Sequence, residues 1–250
     1  MKALITLTSS ESKRLIAKGV KALPSVLLAL EKHTIIVAGG TSNAFVAEEL
    51  LGIQIEDKTG YTVGIVTKGE LGISQSSKKT PPYVICRGQA LAISWKEYLP
   101  KLQPGDIFIK GGSAIDSTGL TAVLASNSLG GTIGAAQGIL YARGVELLVP
   151  IGLEKMIPDV RLAVEFMTKS TGDESLVPRV GLIPMVGATV VTELTALETL
   201  YKVQARCIAA GGVDGSEGAI TIAILGINVE VQRAIREISA YKGEPQICVQ

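Results

Sequence analysis

The chain has 250 residues, 47% hydrophobic and 19% charged, a balance that excludes a disordered or fibrous polypeptide and allows one sizeable α/β core with a smaller appended unit. Aromatic residues are only 4% while there are 28 glycines, so the core must be built from Val, Ile, Leu and Ala with closely approaching backbones. A formal charge of +1 without a dense Lys/Arg block argues against nucleic acid as a partner and leaves a small anionic metabolite open.

Cys86, Cys207 and Cys248 stand far apart with no CxxC or Cys/His spacing, so free thiols are expected rather than a zinc site or a disulfide framework. The opening apolar run, 3–7, is too short for a signal segment, and no apolar stretch approaches a membrane span. The expectation is a cytoplasmic protein with no membrane partner. No cofactor is called for, and a homo-oligomer is left open.

Ser9, Ser10, Glu11 and Ser12 supply N-cap chemistry for a helix with Leu15, Ile16, Val20 and Leu23 on one side and Lys13, Arg14, Lys18 and Lys21 elsewhere. Pro24 restarts a second helix over 25–32. T-I-I-V-A at 34–38 reads as a strand buried on both faces, ending in glycine. A helix follows over 44–51, where Val46 and Leu50 share a face and Gly52 provides a stop. Strands are expected at 61–66 and 83–86, separated by a polar loop over 68–82 of the kind that serves as a lid or binding element. A short helix over 95–102 stops at Pro104-Gly105. Then come a buried strand at 106–110, a strand at 120–125, a Gly/Ala-rich helix over 132–141 and a buried strand at 145–151. The repeated β-then-α order predicts an open, mainly parallel sheet with helices on both faces.

From 168 to 180 the composition turns polar, and Pro178, Gly181, Pro184 and Gly187 mark a boundary read as a linker. The expected division is an α/β domain over 1–170 and a C-terminal subdomain over 183–250. Beyond the linker come a strand at 188–191, a helix at 193–201, strands at 203–209 and 219–225, a helix from an Asn228 cap to Gly243, and a strand at 246–249. The order βαββαβ predicts a small ferredoxin-like α+β subdomain.

In an open α/β sheet ligands bind outside the carboxyl ends of the strands. Gly39, Gly40, Thr41, Ser42 and Asn43 form a strand-to-helix turn with glycines for close backbone approach, two hydroxyls and a helix N-terminus, which suits phosphate or carboxylate. The alternative is a turn that only ends a strand. Lys110, Gly111, Gly112, Ser113 and Ser117 lie in a second turn that adds a cation and hydroxyls. Within it, Asp116 is either a general acid/base or an Asx-turn residue holding the loop. The stretch 127–132 is a further candidate helix-terminus anion site or a packing turn. The glycine-rich stretch 211–218 reads as an ordinary turn rather than a closing loop. His33 is expected at a helix C-terminus and Glu48 and Glu49 on a solvated helix face, while Lys68 and Glu70 lie in a loop from which either could reach a ligand.

V-A-G-G-T-S-N-A-F-V-A-E-E-L-L-G at 37–52 and D-I-F-I-K-G-G-S-A-I-D at 106–116, followed by G-L-T-A-V-L-A-S-N-S-L-G-G-T-I and G-V-E-L-L-V-P-I-G, resemble the ribose-5-phosphate isomerase, sugar-phosphate isomerase and CoA-transferase superfamily. The likeness covers most of residues 30–155. It implies a phosphate loop at 39–43 and aldose-ketose isomerisation with Asp116 moving the proton. Where those isomerases read D-G-A-D-E-I-D, this chain has Lys110 to Asp116 with two of the three aspartates replaced. The second turn also resembles the G-x-D-G-I-D segment of sugar-phosphate-sensing domains in bacterial repressors, which implies the alternative of a non-catalytic metabolite sensor.

Overall fold

The computed structural model describes residues 1–169 and 179–248. The chain opens with β1 (Lys2–Leu7), α1 (Ser9–Ala22), α2 (Pro24–Lys32), β2 (Thr34–Val37) and α3 (Thr41–Leu51). Next come β3 (Gly64–Thr67), β4 (Glu70–Ile73), β5 (Tyr83–Cys86), β6 (Gln89–Leu91), α4 (Trp95–Tyr98) and β7 (Ile107–Ile109). They are followed by β8 (Ala114–Ile115), β9 (Thr121–Ala125), α5 (Gly131–Arg143), β10 (Glu146–Pro150) and α6 (Val160–Lys169). After 179 come β11 (Gly181–Met185), β12 (Thr189–Val191), α7 (Glu193–Tyr201), β13 (Gln204–Ala210), β14 (Ile220–Leu225) and α8 (Asn228–Ser239).

The central sheet has the order β12-β10-β7-β2-β5-β6. Its first four strands are mutually parallel, while β5 and β6 add antiparallel at the other edge. Every residue of β2 and β7 is buried, as their unbroken apolar runs require of strands covered twice. Alternation sorts the side chains by face. Ile35, Val37, Ile107, Ile109 and Leu148 join a core with Leu15 and Ile16 of α1 and Phe45 of α3. Ile36, Phe108, Leu147 and Val149 pack against Ile133, Ala136 and Leu140 of α5 and against Trp95. The chain is therefore α/β with helices on both faces.

Local chemistry sets the helix ends. Thr8 caps α1 through the N–H of Glu11, whose carboxylate accepts back from the Thr8 N–H. α3 ends on Gly52 at φ 66°, a left-handed stop that favours glycine. Gly19 of α1 faces α7 so closely that a Cβ there would lie 2.5 Å from the Ala196 Cβ. That contact holds α7 against α1.

The C-terminal ferredoxin-like order is not what forms. β12 joins the central sheet beside β10, and β1 completes an antiparallel sheet of order β1-β14-β13. The inner face of that sheet, Ile5, Leu7, Ile220, Ile222 and Ile224, belongs to the same core as α1, α3 and β2. Residues 246–248 form no strand, and Val249 lies outside the described residues. The strand expected at 61–66 begins only at Gly64, and the loop expected over 68–82 holds β4, which pairs with β3 as a hairpin. Part of the expected linker is helical to Lys169, and Gly181 to Met185, proline included, pairs with β9. The rest of that linker, 170–178, lies outside the described residues. No helix among the described residues is long and apolar enough to cross a membrane.

Candidate functional site

Four parallel strands bring four carboxyl ends to one edge of the sheet, and each delivers a polar turn there. Asn43 fastens two of them: its Nδ2 donates to Ala38 O at 2.7 Å and to Ile109 O at 3.3 Å, joining the ends of β2 and β7. With both amide hydrogens used, Oδ1 faces the other way, buried and without a partner. A Cβ on Gly111 would lie 3.6 Å from it, so the second turn passes directly alongside. Ser42 is likewise buried with an unpartnered Oγ. Gly39 is a close-approach residue, since a Cβ there would lie 2.9 Å from Tyr61 O. The Gly40 N–H donates to that same carbonyl at 2.9 Å, while the first turn of α3 has no side-chain cap.

The second turn carries the cations. Lys110 Nζ donates to Gly111 O at 3.2 Å, and Lys155, from the turn after β10, donates to the next carbonyl, Gly112 O, at 3.1 Å. Both lysines keep partial exposure. Burial first, and then the charge of Lys155, bring the Lys110 ammonium down to about 8. Lys155 is lowered as well, by burial and by Lys13 against the opposing pull of Glu154 and Glu193.

Two carboxylates and a third lysine complete the cluster. Glu154 accepts from Lys13 Nζ at 3.1 Å, and its Oε2 is buried without a partner. Burial pushes the Glu154 carboxyl up, but Lys13 and Lys155 outweigh it and hold it below the ordinary range. Glu193, the first residue of α7, is fully buried and accepts from the Leu153 N–H at 3.0 Å. Burial, then the Glu154 charge, push it up to about 7. Lys13 and Lys155 therefore act on the two carboxylates, and Lys110 stands on the far side with Lys155 as the charge that acts on it. A partly buried Lys110 with another ammonium acting on it and no carboxylate among its partners is costly, and an anion relieves that cost.

The structure sets the turn of Gly39, Gly40, Ser42 and Asn43 beside the turn of Lys110, Gly111 and Gly112, and Asn43 makes the contact between them. Thr41 opens α3 beside them. Ser113 turns away: its Oγ accepts from Leu124 N at 3.1 Å and its N–H donates to Ala122 O. Ser117 is exposed in the following turn. Asp116 adopts the loop-holding geometry. One oxygen accepts from the Thr118 N–H at 2.9 Å and the Leu120 N–H at 3.2 Å, and the other from the Val160 N–H at 2.9 Å, where α6 begins. These bonds, led by the Thr118 hydroxyl, hold its carboxyl below the ordinary range.

Other sequence candidates lie apart. Asn127 forms an Asx turn onto the Leu129 N–H. Lys68 and Glu70 sit on the exposed β3–β4 hairpin, and His33 ends α2. Glu48, expected in solvent, is buried and paired with Arg14 at 2.6 Å and Lys58 at 2.8 Å. The 211–218 turn approaches the cluster, with a Gly218 Cβ placed 3.6 Å from Ser9 Cβ and 3.8 Å from Glu154 Cβ. Sequence reasoning missed Lys13, Glu154, Lys155 and Glu193. The available signal was the pair of acidic and basic residues directly after the apolar run V-P-I-G-L, at the end of a strand.

No protein-family model matches the chain, and no curated protein or solved structure matches it either. The likeness to the isomerase and CoA-transferase superfamily therefore rests on its motif residues alone.

Proposed function

We propose that this protein binds a small anionic metabolite, phosphorylated or carboxylated, at the carboxyl ends of β2, β7 and β10. The observation that carries this reading is the convergence of Lys110 and Lys155 on consecutive glycine carbonyls, with Lys155 the charge that acts on Lys110. Lys110 and Lys155 bind the anionic group. Asn43 Oδ1, an acceptor left without a donor, suits a ligand hydroxyl, and the Ser42 hydroxyl can donate to or accept from the same molecule. A hydroxylated phosphate or carboxylate meets both demands.

The Asp116 bonds favour a loop-holding role and move acid/base work, if the site is catalytic, to Lys110 and Glu193. Their values of about 8 and about 7 bracket neutral pH. A metabolite sensor built on the same crevice is the second reading, favoured by the two aspartates absent from 110–116. The test is a thermal-shift series with sulfate, inorganic phosphate, sugar phosphates and CoA esters, run on the wild type and on Lys110→Met. Stabilisation of the wild type alone supports the site. Equal shifts in both proteins, or none in either, reject it.

A further inference from the structure

The sheet of β1, β14 and β13 has two edges, and they are finished differently. Along β1, Lys242 from the segment after α8 donates to Thr6 O at 2.9 Å and covers part of that edge. β13 is bare: every residue from Arg206 to Ala210 is exposed, and 207–210 carries neither a charge nor a proline to guard it. Side chains close only Ala205, whose N–H donates to Glu198 at 3.4 Å and whose carbonyl accepts from Arg206 at 2.6 Å. Alternation turns the N–H and C=O of Cys207 to the same side as those of Ala205. The register shift between Cys207 and Ala209 then inserts one residue, and the Gly211 N–H bonds inward to Ala219 O, so the next outward pair belongs to Ala210. These groups of Cys207 and Ala210 have no partner among the described residues.

We propose that β13 pairs antiparallel with β13 of a second copy of this chain, about a two-fold axis between Ile208 and Ala209, so that the two sheets become one. Two features select a second copy over any other strand. The first is spacing. A regular strand offers outward groups at every second residue, whereas β13 offers them three residues apart, at 207 and 210. A strand with the same shift matches both positions: Cys207 exchanges bonds with the partner's Ala210, and Ala210 with the partner's Cys207. The second is charge. Lys202 and Arg206 precede the neutral run 207–213 with no acidic residue in 202–206, and Asp214 and Glu217 follow it with no basic residue in 211–218. Antiparallel pairing lays the basic end of each copy along the acidic turn of the other, where a parallel pairing would set like charges together. Arg206 is free to serve there: its side chain is 75% exposed, and its contact with Glu198 of α7 at 3.6 Å leaves guanidinium donors unused.

Sedimentation equilibrium over a concentration series tests the pairing. The wild type is expected to dimerise. Ala210→Pro should weaken the dimer roughly tenfold or more, because the axis removes the bond from the Ala210 N–H twice. Charge reversal gives the sharper readout and leaves the strand backbone alone. Arg206→Glu, and separately the double variant Asp214→Lys with Glu217→Lys, should each self-associate roughly tenfold more weakly than the wild type. Mixed in equal amounts they should form a heterodimer, since both ends then join opposite charges. Misfolding of either variant could not produce that result. A wild type that stays monomeric throughout the series overturns the proposal. So does a dimer that Ala210→Pro or the unmixed charge-reversed variants form as tightly as the wild type, and so do reversed variants that stay apart when mixed.

Discussion

Replacing Lys110 with methionine should make the empty protein more stable. The substitution keeps an apolar stem of similar length and removes the ammonium. Lowering that group from an ordinary 10.5 to about 8 corresponds to a cost of about 3 kcal/mol for keeping it charged at pH 7. The variant also loses the bond to Gly111 O, worth about 1 kcal/mol. The net gain is about 2 kcal/mol, which for a chain of this length raises the melting temperature by roughly 4–8 °C. The pH dependence has a definite sign. Below pH 8 both folded and unfolded chains hold the proton, and the cost is present in full. Between about 8 and 10.5 only the unfolded chain holds it, so wild-type stability climbs toward that of the variant. Paired melts by circular dichroism in sulfate- and phosphate-free buffer at pH 7 and pH 10.5 read both terms. A variant that melts below the wild type at pH 7, or a gap that does not change with pH, refutes the reasoning.

Glu193→Gln removes a buried charge but keeps an acceptor for the Leu153 N–H. With Glu193 at about 7 against an ordinary 4.5, the wild type loses stability as pH rises between those values. Urea melts should show the variant ahead by about 2–3 kcal/mol at pH 8 and level with wild type at pH 4. Asp116→Asn puts an amide against the Val160 N–H or gives up the Thr118 and Leu120 bonds, and should cost about 2–3 kcal/mol by the same assay while sulfate affinity stays within about twofold. The wild-type contribution of Asp116, whose carboxyl is held low, is present above pH about 4 and fades as pH falls further. Gly19→Ala forces a methyl onto Ala196 and should destabilise by about 1–3 kcal/mol in spite of the better helix propensity of alanine.

The parts legible in the sequence were those that local pattern decides. The buried strands at 34–37, 107–109 and 146–150 and the glycine turns after the first two follow from unbroken apolar runs that end in glycine. β1 and β14 pair across more than 200 residues of chain, and nothing in either hexapeptide names its partner. The ferredoxin-like expectation failed for that reason: β12 had the right neighbours in sequence and found a better edge beside β10. Pro184 made 181–185 look like a linker, yet an edge strand tolerates a residue without an N–H. Of the site, the Gly39 to Asn43 turn and Lys110 could be located because they adjoin a recognisable strand. Lys13 and Glu193 stand at the starts of α1 and α7, and only tertiary packing carries them to Glu154 and Lys155.

Calorimetric titration of sulfate into the wild type at pH 7 and pH 9.5 tests the central claim most directly, because sulfate keeps its charge over that range and Lys110 does not. If Lys110 must be charged to hold the anion, affinity falls roughly 30-fold between the two pH values and binding at pH 8 takes up protons from the buffer. Sulfate that binds equally well at both, or fails to bind at pH 7, contradicts the account.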